Sequence, residues 1–198
     1  ATFTSTSNSL LLFCIIVSVS IFYIPINILF LNNFEVSLQM GKPKLIVFDL
    51  DYTLWPFWVD THVRSPIKKD KNNHIIDGSG QRIKCYPEVP EILNKLKNDG
   101  YILGIASRTE WPEGAKKLLK LFDWEKYFTY KEIYPGRKTT HFKRMQEASG
   151  ISYSDMLFFD DEERNISDLR TIGVTSILVP DGVNKQILEE ALQSFRSS

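Results

Sequence analysis

The stretch KLIVFDLDYTLW, residues 44–55, decides both the fold and the chemistry of this chain. Its first half is a continuous apolar run, which is typical of a strand buried on both faces of a sheet. The run stops at two carboxylates, Asp49 and Asp51. Because side chains alternate along a strand, the two acids should share one patch at its end. Carboxylates this close repel each other unless a cation lies between them, or unless one serves as a nucleophile and the other as an acid.

Downstream of this strand, short apolar runs alternate with segments of helical periodicity. Strands are predicted over 101–106, 131–134, 156–159 and 175–179, and helices over 87–98, 112–122, 139–148, 165–172 and 185–195. This alternation predicts an α/β fold, a doubly wound parallel sheet with helices on both faces. The polar segment from Trp55 to Tyr86, with a hairpin predicted over 75–83, is too short for a second domain. It should form a minimal cap.

Polar side chains stand where the predicted strands end, the edge at which such sheets bind ligands. The predicted strand 101–106 is followed by Ser107 and Arg108, and the predicted strand 156–159 is followed by Asp160 and Asp161. Lys138 stands just before the predicted helix 139–148. A serine hydroxyl can bind phosphate oxygens, and a lysine supplies a fixed positive charge beside a nucleophile. Arg108 could contact the substrate phosphate or form an ion pair. Clustered acids favour Mg²⁺, so the set fits phosphoryl transfer through an aspartyl-phosphate.

Four segments in this order resemble the haloacid dehalogenase (HAD) superfamily and, within it, the magnesium-dependent phosphatase 1 family. They are FDLDYTLWPFW at 48–58, ASRT at 106–109, YPGRKTTHF at 134–142 and FFDDEERN at 158–165. The resemblance runs from about residue 44 to residue 195. It implies that Asp49 is the nucleophile and that Asp51 is the general acid and base, with its carbonyl oxygen on Mg²⁺. It also implies that Ser107 and Lys138 bind the phosphate.

The resemblance further implies that Asp160 or Asp161 is a metal ligand. The general superfamily pattern aligns its first acid with Asp161 and its last acid with Asn165, which is not an acid. We therefore expect Asp161 to bind the metal directly and Asn165 to contact it more weakly, through water.

The function predicted from these residues is a Mg²⁺-dependent phosphomonoesterase. An open site under a small cap suits bulky substrates, and the resemblance implies activity on protein phosphotyrosine and on phosphosugars of the fructosamine-6-phosphate type. Two alternatives stay open: a receiver-like phospho-signalling module, and a non-catalytic membrane-tethered adaptor. The aromatic residues near the site also have two interpretations, as packing of the loop or as walls around the leaving group: Trp55, Phe57, Trp58 and Trp111.

Composition separates residues 1–39 from a domain over 40–198. The first 34 residues carry no charge, and the apolar run 10–31 is long enough to span a bilayer, so 1–39 could be a membrane anchor, a targeting peptide or a gene-model error. The predicted partners are a phosphorylated protein or a small phosphate ester, with a membrane only if that segment is genuine. All 24 basic residues follow Met40 against 23 acids, so no nucleic-acid partner is implied. Two cysteines suit a reducing compartment, and we expect a cytoplasmic protein.

Overall fold

The computed structural model of the protein describes residues 41–196. The apolar run 10–31, and with it the alternatives for residues 1–39, lies outside the described residues. Among the helices of 41–196, none combines the length and the hydrophobicity that crossing a bilayer would take.

Seven strands and six helices follow one another along the described chain. The strands are β1 (Leu45–Phe48), β2 (Lys68–Lys69), β3 (Ile75–Ile76), β4 (Ile102–Ser107), β5 (Phe128–Ile133), β6 (Met156–Asp160) and β7 (Thr175–Leu178). The helices are α1 (Val59–His62), α2 (Val89–Asn98), α3 (Pro112–Leu121), α4 (Lys138–Ser149), α5 (Glu163–Arg170) and α6 (Lys185–Arg196). Five strands form one parallel sheet in the order β5-β4-β1-β6-β7.

The sheet is covered by helices on both faces, and β1 lies at its centre. All four residues of β1 are fully buried, and they alternate between two cores. Ile46 and Phe48 belong to a core with side chains of α2, α3 and α6, whereas Leu45 and Val47 pack with side chains of α4 and α5. This two-sided burial explains why β1 reads as an uninterrupted apolar run. The predicted doubly wound α/β fold is confirmed.

The insertion after β1, residues 56–86, forms the small cap that the sequence predicts, but with more structure than a single hairpin. It contains the one-turn helix α1 and the antiparallel pair β2–β3, neither of which the sequence pattern indicated. The predicted hairpin over 75–83 is present, with an antiparallel bridge between Ile76 and Arg82 and backbone hydrogen bonds from the Ile83 N–H to the Ile75 carbonyl oxygen and from the Asp77 N–H to the Gln81 carbonyl oxygen. Its turn is held by Asp77, whose carboxylate accepts hydrogen bonds from the backbone N–H groups of Arg64, Ser79 and Gln81 and from the Ser79 hydroxyl.

Candidate active site

A polar cavity of about 270 Å³ opens at the carboxyl ends of the central strands. Six of the seven predicted site residues line it: Asp49, Asp51, Ser107, Arg108, Lys138 and Asp161. The seventh, Asp160, is fully buried behind the wall. The structure therefore brings together side chains that are far apart in sequence.

Strand register explains this convergence. Phe48 pairs with Ile105 of β4 on one side and with Phe159 of β6 on the other. One residue further on, the Asp49 N–H donates to the Phe159 carbonyl oxygen at 3.0 Å. The three strands thus end level with one another, and Asp49 emerges between β4 and β6 at the centre of the sheet edge.

Lys138 joins two of the acids. Its side chain is 1% exposed, and Nζ lies 2.5 Å from Asp49 Oδ1 and 3.0 Å from Asp160 Oδ2. Nζ also donates to the Ala106 carbonyl oxygen. Burial alone would lower the pKa of Lys138, but the carboxylates of Asp49 and Asp160 raise it above its ordinary value, so the ammonium stays charged. The sequence predicts that Lys138 lies beside the nucleophile, but it does not indicate the second carboxylate partner, Asp160.

The ionisation of Asp49 is set by competing effects. Burial raises its pKa, Lys138 opposes that rise, and the nearby carboxylates of Asp160 and Asp51 add to it. The net effect raises the pKa of Asp49 well above its ordinary value, and the positive charge of Lys138 is the contribution that most strongly opposes this rise.

Asp51 is fixed by the start of the insertion. Its Oδ1 accepts a hydrogen bond from Trp55 Nε1 at 2.6 Å and another from the Val59 N–H at 3.2 Å. Burial raises the pKa of Asp51 to about 6, although these two hydrogen bonds oppose the rise. A carboxyl group with a pKa near 6 can both donate and accept a proton near neutral pH.

Asp160 and Asp161 differ in their surroundings. Asp160 uses both carboxylate oxygens inside the protein, where they bind Lys138, the side-chain amide of Asn165 and the N–H of Glu162. Asp161 instead lines the cavity, and burial together with the charge of Asp160 raises its pKa to about 6. The side chain that faces a ligand in the cavity is therefore that of Asp161.

The donor set fits a hard divalent cation. Asp49, Asp160 and Asp161 each offer a carboxylate oxygen, and these oxygens lie within 4.8 Å of one another. Oxygen donors of this kind are what Mg²⁺ takes in proteins. Both oxygens of Asp160 are already bound, whereas Asp49 has only Oδ1 bound to Lys138 and Asp161 faces the cavity, so Asp49 and Asp161 are the carboxylates best placed to hold the metal.

The side chain of Asn165 is held on both sides by hydrogen bonds within the protein. Its amide nitrogen donates to both oxygens of Asp160 at 3.0 and 3.1 Å, and its Oδ1 accepts from Arg108 Nη1 at 3.1 Å. Arg108 also lies 3.6 Å from Glu162. The arginine thus has the acidic partner that one of the two interpretations predicts, and because it also lines the cavity, its contact with a substrate phosphate stays a prediction.

Ser107 is the last residue of β4, and its hydroxyl is almost fully buried at the cavity wall. Helix α3 begins at Pro112, five residues later, so Ser107 is not a helix cap. Its Oγ accepts a long hydrogen bond of 3.4 Å from the Thr109 N–H. The serine is therefore placed for contact with a ligand.

The aromatic residues of the insertion divide into two groups. Trp55 is fully buried and stacks on Phe57 and Trp124, so it packs the loop while its indole N–H holds Asp51. Trp58 is 48% exposed and lines the cavity. Trp55 thus packs the loop, whereas Trp58 forms part of the cavity wall.

Two further residues near the site, Asp60 and His141, are not among the site residues predicted from the sequence. Asp60 lines the cavity and accepts hydrogen bonds from the Thr109 hydroxyl and the Glu110 N–H, which ties the insertion to the loop after β4. No local pattern marks it. His141, one helical turn after Lys138, is fully buried and its Nε2 lies 3.0 Å from the Tyr134 carbonyl oxygen. It therefore supports the loop that leads into Lys138.

Comparisons with known proteins identify the family of this chain. The model of the acid phosphatase family matches residues 41–198. The chain is 54% identical over 153 residues to human magnesium-dependent phosphatase 1, a match that covers 77% of this chain and 87% of that protein. It is also 44% identical over 144 residues to a HAD-like hydrolase superfamily protein of Schizosaccharomyces pombe, with 67% and 83% of the two chains covered.

Solved structures show the same fold. One is the N-terminal part of protein BF1531 from Bacteroides fragilis, which contains a phosphatase domain complexed with Mg. It superposes with a TM-score of 0.55 at 19% identity and covers 81% of this chain and 41% of that one. The sequence matches go further than the fold, because they span most of the chain at high identity. This chain therefore belongs to the haloacid dehalogenase superfamily and, within it, to the magnesium-dependent phosphatase 1 family.

Proposed function

We propose that this protein is a Mg²⁺-dependent phosphomonoesterase that works through an aspartyl-phosphate. The observation that carries the proposal is the arrangement of the two acids. Asp49 is held by the charged Lys138, whereas Asp51 is held by neutral donors at the cavity wall. The two carboxyl groups have different surroundings, which suits one as nucleophile and the other as proton donor.

In the first step, an oxygen of Asp49 attacks phosphorus, the bond to the leaving oxygen breaks, and Asp51 gives its proton to that oxygen. In the second step, Asp51 takes a proton from water, whose oxygen attacks phosphorus and releases Asp49. Lys138 offsets the repulsion between Asp49 and an incoming phosphate dianion. Ser107 and Arg108 line the cavity and supply donors to the phosphate oxygens.

Mg²⁺, held by Asp49, Asp161 and the carbonyl oxygen of Asp51, would supply positive charge to the phosphate oxygens. The proposal is supported by the carboxylate cluster and by the name of the human relative, magnesium-dependent phosphatase 1. Asp160 serves to hold Lys138 in this scheme, because both of its oxygens are already bound.

We propose protein phosphotyrosine and phosphosugars of the fructosamine-6-phosphate type as substrates. The cap is a segment of about thirty residues, and the cavity is lined on the cap side by Asp60 and by the exposed Trp58. A leaving group larger than the cavity can therefore project outward while its phosphate reaches Asp49.

The test is to trap the intermediate. The full chain is mixed with Mg²⁺ and a phosphate ester labelled in the phosphate, quenched in acid, and examined for label on protein. We expect label on the wild type, label that decays more slowly on Asp51→Asn because its second step is slowed, and none on Asp49→Asn. Asp168→Asn, an exposed carboxylate paired with Arg137, is the matched control and should behave as the wild type. Label on Asp49→Asn would disprove the assignment of the nucleophile.

A further inference from the structure

A second cavity lies directly behind Trp58. Its volume is about 370 Å³, and its walls combine aromatic and basic side chains, among them Tyr52, Phe57, His62, Arg82 and Lys84. The Trp58 ring lies 5.2 Å from the Tyr52 ring and is stacked 5.5 Å from the His62 ring. Because Trp58 lines the first cavity while its two neighbours line the second, this one indole separates the two spaces. The second cavity therefore lies next to the first, on the side of Trp58.

The insertion that forms this cavity is the basic part of the domain. Residues 56–86 contain six basic residues and three acids. Within residues 41–196 none of the six cations forms an ion pair: Arg64, Lys68, Lys69, Lys71, Arg82 and Lys84. Elsewhere in the same range most exposed lysines and arginines of α4 and α5 do have acidic partners.

The three acids of the insertion form no ion pair with these cations, because each carboxylate is engaged by other hydrogen-bond donors; their total charge of three still leaves the insertion positive. Asp60 binds the loop after β4, Asp70 accepts from the N–H groups of Asn72 and His74, and Asp77 holds its own turn. Asp77 is the only one of the three that lines the second cavity, and its carboxylate is saturated by four donors. The cavity therefore presents net positive charge.

From these observations we infer that the second cavity is a docking site for acidic residues that flank the phosphorylated residue of a polypeptide substrate, with Arg82 and Lys84 as the cations that bind them. The inference rests on the proposed phosphatase function, because the phosphorylated residue occupies the first cavity. Charge complementarity identifies the partner: two unpaired cations beside aromatic walls favour carboxylate side chains on an extended segment.

The experiment compares two phosphotyrosyl peptides, one with glutamates beside the phosphotyrosine and one with glutamines in their place. The measured quantity is the ratio of their kcat/KM values on the full chain with Mg²⁺. We expect the wild type to favour the acidic peptide, and the double variant Arg82→Gln/Lys84→Gln to reduce that preference about three- to tenfold, the effect of losing one or two exposed ion pairs. Added salt should reduce the preference of the wild type in the same direction.

The matched control is Lys97→Gln/Lys131→Gln, which removes the same charge from α2 and β5, where both lysines are exposed and outside both cavities. It should keep the wild-type ratio. An equal ratio in the wild type and Arg82→Gln/Lys84→Gln would overturn the inference, and so would a control variant that changes the ratio as much.

Two further measurements distinguish peptide docking from catalysis and from membrane binding. Fluorescence anisotropy with the same acidic peptide lacking phosphate measures docking without chemistry. If the double variant Arg82→Gln/Lys84→Gln binds this peptide more weakly than wild type, the docking inference is supported. The proposed function is tested separately, because it fails if no ester is hydrolysed. Sedimentation with vesicles of equal parts phosphatidylserine and phosphatidylcholine tests a membrane instead. If the double variant loses vesicle binding while peptide binding is unchanged, the surface serves a membrane and the inference is wrong.

Discussion

Replacing Lys138 with methionine should destabilise the protein as well as inactivate it. Methionine keeps the length and apolar stem of the side chain but removes the charge that lies 2.5 Å from Asp49 and 3.0 Å from Asp160. Two carboxylates then remain buried without their cation. Breaking a buried pair in this way costs about 3–5 kcal/mol of the free energy of unfolding, a large part of the roughly 5–15 kcal/mol available to a domain.

The assay is urea unfolding followed by circular dichroism, at neutral pH and with EDTA so that no metal contributes. Lys143→Met, an exposed position on the same helix, is the control and should cost at most about 1 kcal/mol. Asp160→Asn combined with Lys138→Met removes the fully buried carboxylate as well as its cation. The double variant should therefore lose at least about 1 kcal/mol less than the sum of the two single variants.

A loss of less than about 1 kcal/mol in Lys138→Met would refute this reasoning, because it would mean that the two carboxylates do not depend on the lysine. Strict additivity of the two single variants would refute it as well. In either case the role of Lys138 would be confined to contact with the substrate.

Three other predictions follow from the described contacts. The pKa of Asp77 is lowered to about 2, chiefly by the Ser79 hydroxyl, so its stabilisation is complete above about pH 4 and is lost as the pH falls towards 2. The free energies of unfolding of wild type and Asp77→Asn, measured in urea, should differ by at most about 2 kcal/mol at neutral pH and converge in acid. Burial lowers the pKa of His141 to about 4, so the contribution of its neutral imidazole is lost as the pH falls from about 6.5 to 4. Over that range the free energy of unfolding of wild type should fall by about 3 kcal/mol relative to that of His141→Gln, which retains a donor for Tyr134; equal pH dependence of the two proteins would contradict this. EDTA should abolish ester hydrolysis, Mg²⁺ should restore it, and Ca²⁺ should inhibit it, since its looser coordination can occupy both oxygens of Asp49; hydrolysis that persists in EDTA would count against a metal site.

The sequence predicts the sheet and the place of the site well because both depend on local periodicity. The apolar run before Asp49 needs burial on both faces, and parallel strands bring their carboxyl ends to one edge whatever their order. That is why Ser107, Lys138 and Asp161 could be assigned to one rim before any contact was known, and the structure places all three around one cavity.

The sequence could not predict which groups hold the site residues in place. The bond from Trp55 to Asp51 depends on how the chain turns after the strand, where Tyr52 adopts the left-handed backbone region with φ 52°. Lys138 begins α4 and Asp160 ends β6, so their pairing depends on how this helix and this strand pack together. Such contacts depend on tertiary geometry, and neither periodicity nor residue type contains that information.

The cap's attachment to Asp51 links recognition to turnover. One donor to Asp51 Oδ1 is Trp55, the residue just before the insertion, and the other is Val59 within it, so the position of the proton donor depends on a segment whose outer part lines the second cavity. A substrate that orders the insertion therefore also steadies the acid that must protonate its own leaving group. In kinetic terms, good flanking contacts should appear in kcat and not only in KM, and poorly matched phosphoproteins would be held yet processed slowly.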